Sequence, residues 1–142
     1  MAETGFFLSG NPFGQQLVLA VTPSETSFRL LERQLSRLED VELRWHSETI
    51  EALADIFMSR PALLVVFGDT NAQTLEFIQL VRNNRQFRDL VVFAVLPEPV
   101  RMGQKVGKRL NIERFTTPLE SSQLYTRVRQ VIETKQSQPF KL

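Results

Sequence analysis

The chain has 142 residues, 42% hydrophobic and 23% charged, which fits one compact domain, leaves no room for a second catalytic one and is too apolar for intrinsic disorder. Seventeen Lys and Arg against sixteen Asp and Glu leave a formal charge of +1, so no bulk field argues for nucleic acid or an anionic membrane. The absence of cysteine excludes a disulfide framework, a thiolate cluster and a cysteine nucleophile, and a single histidine excludes a multi-histidine metal site.

Residues 1–15 carry Gly5, Gly10, Gly14 and Pro12 among Phe6, Phe7 and Phe13 with no helical or strand period, so they read as a loose arm. Its Phe6-Phe7-Leu8 cluster either folds back onto the domain or serves as a docking or dimer-forming arm; it lacks the basic and long apolar segments of a secretory signal. Residues 17–21 are an unbroken apolar run ended by Thr22-Pro23, the pattern of a strand buried on both faces. In Thr22-Pro23-Ser24-Glu25 the Thr hydroxyl is expected to cap a helix with Pro at its first position and Glu three residues on. Phe28, Leu31, Leu35 and Leu38 give that helix one buried stripe. Val41, Leu43 and Trp45 alternate with Glu42, Arg44 and His46, which predicts a strand near a sheet edge with one wet face and His46 on the surface. Ser47 is expected to cap a second helix that turns Ile50, Leu53, Ala54 and Phe57 inward and ends at Arg60-Pro61.

Residues 62–67 form a second continuous apolar run, closed by the polar Gly68-Asp69-Thr70-Asn71, and residues 90–96 a third, closed by Pro97-Glu98-Pro99; both read as central strands. Neither approaches the roughly 18 residues that span a bilayer. Leu75, Ile78 and Val81 mark a third helix. Residues 100–111 hold Met102, Val106 and Leu110 at spacing four, but Gly103 and Gly107 each cost about 1 kcal/mol in a helix, which predicts a weak or irregular fourth one. Residues 113–116 make a short strand, and Leu124, Val128 and Val131 mark a last helix. A domain over 16–134 and a polar tail or linker start over 135–142 follow. Five strands alternating with five helices predict an α/β domain, a doubly wound parallel five-stranded sheet in three α/β/α layers. Ligands of such sheets sit at the strand carboxyl ends, here Val21-Thr22, Phe67-Gly68-Asp69, Val95-Leu96 and Thr116-Thr117.

Two stretches carry a resemblance that covers about residues 16–134. Arg60-Pro61-Ala62-Leu63-Leu64-Val65-Val66-Phe67 is similar to the "P-D-L-V-L-L-D" strand of the receiver domains of two-component response regulators, and Phe115-Thr116-Thr117-Pro118-Leu119-Glu120 to Leu124 is similar to their "L-T-K-P-F-D…L". The resemblance implies the flavodoxin-like (βα)5 fold and, in a working receiver, phosphoryl transfer to one Asp. Mg²⁺ is then held by that Asp and by paired acids, while a Lys and a Ser or Thr contact the phosphoryl oxygens. Carried onto this chain, the paired acids fall at Val21 and Thr22, the acceptor at Phe67 (or Val66), the hydroxyl at Val95 and the Lys at Thr117. All five are replaced, and Val or Phe offers no oxygen to a hard cation. Asp69, just past the acceptor position, reads as a turn or helix-entry residue, and Thr117-Pro118 matches a peptide that is typically cis in receivers. The aromatic residue that rotates in a switching receiver falls at Arg114.

Gly103 and Gly107 beside Lys105, Lys108 and Arg109 match no phosphate-binding loop. Arg101, Lys105, Lys108, Arg109 and Arg114 form a local basic cluster that Arg127 and Arg129 extend, on what the resemblance implies is the common dimer and effector face, with Tyr125 on the same last helix. The expectation is a pseudo-receiver: no enzyme, no cofactor, no metal, acting in the cytoplasm of a bacterium by contact with a protein partner or output domain. A homodimer through the fourth helix, last strand and last helix belongs to the same reading, with neither membrane nor direct nucleic-acid contact. The second reading is a sensor whose strand-end pocket takes a nucleotide or hydrophobic effector.

Overall fold

A computed structural model describes residues 16–68, 73–97, 111–117 and 121–136. In chain order these form β1 (Gln16–Val21), α1 (Glu25–Leu35), β2 (Val41–His46), α2 (Thr49–Ser59), β3 (Leu63–Phe67), α3 (Gln73–Arg82), β4 (Val91–Pro97), β5 (Ile112–Thr117) and α4 (Ser121–Gln136), with a 3₁₀ turn at Arg85–Phe87. All strands are parallel in one sheet of order β2-β1-β3-β4-β5. The expected doubly wound flavodoxin-like architecture is what the residues build. Residues 98–110, where the weak fourth helix was expected, lie outside the described residues, as does the 1–15 arm.

The continuous apolar runs are explained by burial on both faces. Val18 and Ala20, Leu63 and Val65, Phe93 and Val95 pack into one core layer with Phe28, Leu31, Leu124 and Val128 of α1 and α4. The alternate residues Leu19 and Val21, Leu64 and Val66, Val92 and Ala94 pack into the other with Ala52, Ile56, Phe77 and Ile78 of α2 and α3. A strand with water on neither face has no polar positions to spare, so its period-two alternation disappears from the sequence. β2 lies at the sheet edge, as its alternation predicts.

Several local expectations are corrected. Helix α1 is capped by Ser24, whose side chain accepts from Ser27 N at 3.2 Å, rather than by Thr22 two residues earlier. The Thr22 hydroxyl instead accepts from Ser24 N at 3.1 Å, closing a tight turn into the cap. Ser47 does not cap α2: Glu48 is the N-cap residue, and its side chain makes no capping bond. α2 also buries a different face. Ala52 and Ile56 are buried, whereas Ile50 is 75% and Phe57 41% exposed and Ala54 is exposed. Apolar residues lie nearly all round this helix, so periodicity alone does not choose the face; contact with β1 and β2 does. Helix α4 runs to Gln136 and takes in the first two residues of the expected tail, because its polar last turn carries no apolar signal. The Arg60-Pro61 stop holds, with Arg60 in the left-handed region at φ 50°.

Candidate functional site

The parallel register brings the strand carboxyl ends level. Val21 pairs with both His46 and Val66, Phe67 with Val95, and Pro97 with Thr117. Four of the residues singled out in the sequence, Val21, Thr22, Phe67 and Val95, are thereby gathered at one end of the sheet. Val21, Val66 and Val95 are buried, and Thr22 is 1% exposed. Thr117 closes β5 at the sheet edge, and Asp69 lies outside the described residues.

Thr22 is held by its backbone as well as its hydroxyl. Its N–H donates to His46 O at 3.1 Å, and its carbonyl accepts from Trp45 Nε1 at 2.8 Å. Trp45 in turn stacks on Phe28 with centroids 5.0 Å apart and planes 10° from parallel. The turn leaving β1 is thus locked to β2 and to α1, so Thr22 has a structural role.

Between these strand ends and the first turns of α1, α2 and α3 lies a cavity of about 370 Å³. Its floor is apolar, from Val21, Val66, Phe67 and Val95, and its walls carry the hydroxyls of Ser24, Ser27, Ser47, Thr49 and Thr74. Gly68 completes the wall, its N–H donating to Val95 O at 3.0 Å. Among the described residues no Asp, Glu, His, Lys or Arg lines the cavity, and no group of three or more His, Cys, Asp or Glu could hold a metal ion. The Mg²⁺ that the resemblance implies does not fit: valine and phenylalanine side chains have no donor atom, and two oxygens from Thr22 and Ser24 are already engaged in turn and cap.

The lone histidine belongs to a different construction. His46 is 21% exposed rather than a surface residue, because α2 covers the polar face of β2. His46 Nε2 lies 2.7 Å from Asp55 Oδ2, while Arg44 Nη1 reaches Asp55 Oδ1 at 2.6 Å and Ser59 Oγ donates to the same oxygen at 2.5 Å. Burial would raise the Asp55 carboxyl, but the hydrogen bonds from Ser59, His46 and Arg44 outweigh it and hold the group below its ordinary value. Both His46 and Ser59 are spent on the same carboxylate, so they form no nucleophile–base pair.

The basic face is partly assembled. Arg101, Lys105 and Arg109 lie outside the described residues, with Lys108, Gly103 and Gly107. Arg114 is half-buried on β5 and donates from Nη2 to Pro97 O at 3.0 Å. Tyr125 is half-buried on α4, with the Arg129 guanidinium 5.9 Å over its ring. Arg129 pairs loosely with Glu133 at 3.8 Å, and Arg127 grips Glu113 through two bonds of 2.6 Å, so the charge that α4 adds is largely offset within the fold.

No family model matches the chain, and no curated protein is similar to it in sequence. Solved structures are similar in shape. The chemotaxis response regulator CheY4 of Vibrio cholerae matches with a TM-score of 0.69 at 21% identity, over 82% of this chain and 98% of that one. The receiver domain of Francisella response regulator 1452 matches at 0.70 and 14%, over 85% and 99%. The fold is that of a response-regulator receiver domain. The signal receiver domain of a DNA-binding response regulator from Colwellia psychrerythraea agrees, at 0.69 and 13% over 84% and 99%. At such identities the receiver fold is what the likeness establishes, and the chemistry at the strand ends stands on this chain's own residues.

Nothing in the sequence marks the cavity walls. Ser47 reads as a helix cap, and only the strand order brings it with Ser27, Thr49 and Thr74 around one space. Gly68 left a fainter signal, a lone glycine directly after a buried apolar run, which marks a close approach of backbone.

Proposed function

We propose that the chain is a pseudo-receiver, which keeps the receiver scaffold and acts in bacterial signal transduction by protein contact rather than by accepting a phosphoryl group. The observation that carries this reading is the composition of the strand ends: Val21, Phe67 and Val95 stand where a receiver needs two acids and a hydroxyl, and the space they border has no charged side chain among the described residues. A phosphoryl group transferred there would meet neither cation nor ammonium to balance its charge, and charge stabilisation is the largest part of that chemistry. Arg114 adds support, since a guanidinium tied to Pro97 O replaces the aromatic ring whose rotation relays the switch in receivers. The partner face in this reading is the β5–α4 edge with Arg114, Tyr125 and Arg129, joined by Arg101, Lys105 and Arg109. It meets an acidic protein surface, an output domain or a second copy of the chain in the cytoplasm. No helix among the described residues is long and apolar enough to cross a membrane.

The test is incubation with acetyl phosphate, or with beryllofluoride, in the presence of Mg²⁺. The expected result is no gain in intact mass and no amide shift at Val21, Thr22, Phe67 or Gly68, with the oligomeric state by light scattering unchanged. A phosphoryl adduct, or a Mg²⁺-dependent change at those amides, overturns the proposal.

A further inference from the structure

We infer that the strand-end cavity is a binding site for a small uncharged ligand with an apolar body and one or two hydroxyl or carbonyl groups. This rests on the reading of the site as one that takes no phosphoryl group, and it goes further in naming what occupies the space instead. The volume, about 370 Å³, falls at the lower end of the roughly 300–1,000 Å³ typical of small-molecule sites. Such sites are mostly apolar with a few convergent polar groups, and that is the composition here. Val21, Val66 and Val95 come from three adjacent strands held in register, so the floor is rigid and preformed. The polar groups come from three different helices: Ser27 from the start of α1, with Ser24, which caps it and keeps its own proton to donate, Thr49 from the start of α2, and Gln73 and Thr74 from the first turn of α3.

Charge decides the ligand class. A nucleotide or other phosphate ester needs Lys or Arg, and a cation needs carboxylate oxygens; the described lining supplies neither. The first turns of three helices do face the cavity, but Glu25, Glu51 and Glu76 stand in those same turns and already oppose the positive helix ends, so an anion gains little there. Hydroxyls donate and accept with equal ease, which suits a neutral group of either kind. The hydrophobic half of the sensor reading survives this argument with a polar handle added, and the nucleotide half does not. A ligand seated on the valines touches α1 on one face of the sheet and α2 and α3 on the other, so its binding ties the two helical layers together.

The experiment uses the full ¹⁵N-labelled chain with phenol, benzyl alcohol and benzamide as neutral probes, and with benzoate and phenyl phosphate as their charged counterparts. The neutral probes are expected to shift the amides of Ser24, Ser27, Thr49, Gly68 and Thr74, and the charged ones to bind at least about tenfold more weakly because a buried charge finds no partner. Ser27→Phe and, separately, Thr49→Phe place a ring in the space from α1 and from the exposed start of α2. Each variant that keeps a folded spectrum is expected to lose the shifts. Absence of any shift, equal binding of charged and neutral probes, or shifts that persist in both variants overturns the inference. If acetyl phosphate leaves an adduct, the pseudo-receiver reading beneath it falls; probe failure without an adduct overturns the ligand inference alone.

Discussion

Gly68 sits where β3 turns toward α3 and β4 passes close by. A Cβ built there would lie 2.5 Å from Thr74 Oγ1 and 2.7 Å from Leu96 Cδ2, so both side chains must shift, and Leu96 is buried at 2% exposed. Gly68→Ala is therefore expected to cost about 1–3 kcal/mol, the usual penalty for forcing extra volume into a packed site, read as a lower midpoint in urea with an unchanged slope. The opposite sign is expected at Arg60. Its φ of 50° and its N–H bond to Ile56 O at 3.0 Å make it the left-handed stop of α2, a conformation that costs a residue with a Cβ about 1–2 kcal/mol. Arg60→Gly removes that strain at some entropic cost, for a net gain of about 0.5–1 kcal/mol and a thermal midpoint higher by a few degrees. Neither residue announces its backbone angle in the sequence. Pro61 predicts the helix stop but not the left-handed turn before it, and Gly68 predicts close approach but not to what.

At the scale of elements, what holds the edge strand is the carboxylate of Asp55, which α2 inserts between Arg44 and His46 of β2. A strand paired on one side needs other anchors, and this half-buried fork joins strand to helix. The folded carboxyl is held below its ordinary value, so the stability it supplies is complete above the unfolded value near about 3.9 and is lost as pH falls through the lower folded one. Asp55→Asn, which leaves Arg44 with the exposed Glu42 as its remaining counter-charge, is expected to cost about 1–3 kcal/mol at neutral pH. The deficit relative to the parent is expected to shrink as pH drops below about 4, measured by urea denaturation at a series of pH values. A constant deficit across that range would show that packing, not charge, is what the side chain contributes. This network also explains why periodicity selects the wrong face of α2. A polar residue at Asp55 argues for a wet face, whereas here the carboxylate turns toward β2, Ile50 is left 75% exposed and Phe57 packs its ring against Phe87. The partner of a half-buried ion pair eleven residues away leaves no mark in periodicity. Arg127 gives the same lesson on the other edge, where two bonds to Glu113 tie α4 to β5 and strengthen the guanidinium's hold on its proton.

Across the whole molecule, the strands, their parallel pairing and the helix faces of α1, α3 and α4 are legible because burial on one or two faces writes itself directly into apolar patterning. The candidate site is legible only in part. Val21, Thr22, Phe67 and Val95 follow from where apolar runs end, but the hydroxyl walls depend on three helices meeting in space, which no local window contains. The sheet divides the core into two layers that share a backbone and little else: Val128 lies in the layer under α1 and α4, Ile78 in the one under α2 and α3. Both residues are fully buried, so Ile78→Val is expected to cost about 0.5–1.5 kcal/mol, and Val128→Ala somewhat more because it deletes two methyls rather than one. If the sheet behaves as a rigid partition, the double variant loses the sum of the two within about 0.5 kcal/mol, as distant sites without shared partners do. A coupling well above that, measured by denaturant unfolding of all four chains, would mean that strain crosses the sheet. The strand ends that floor the cavity would then feel changes made on either helical layer.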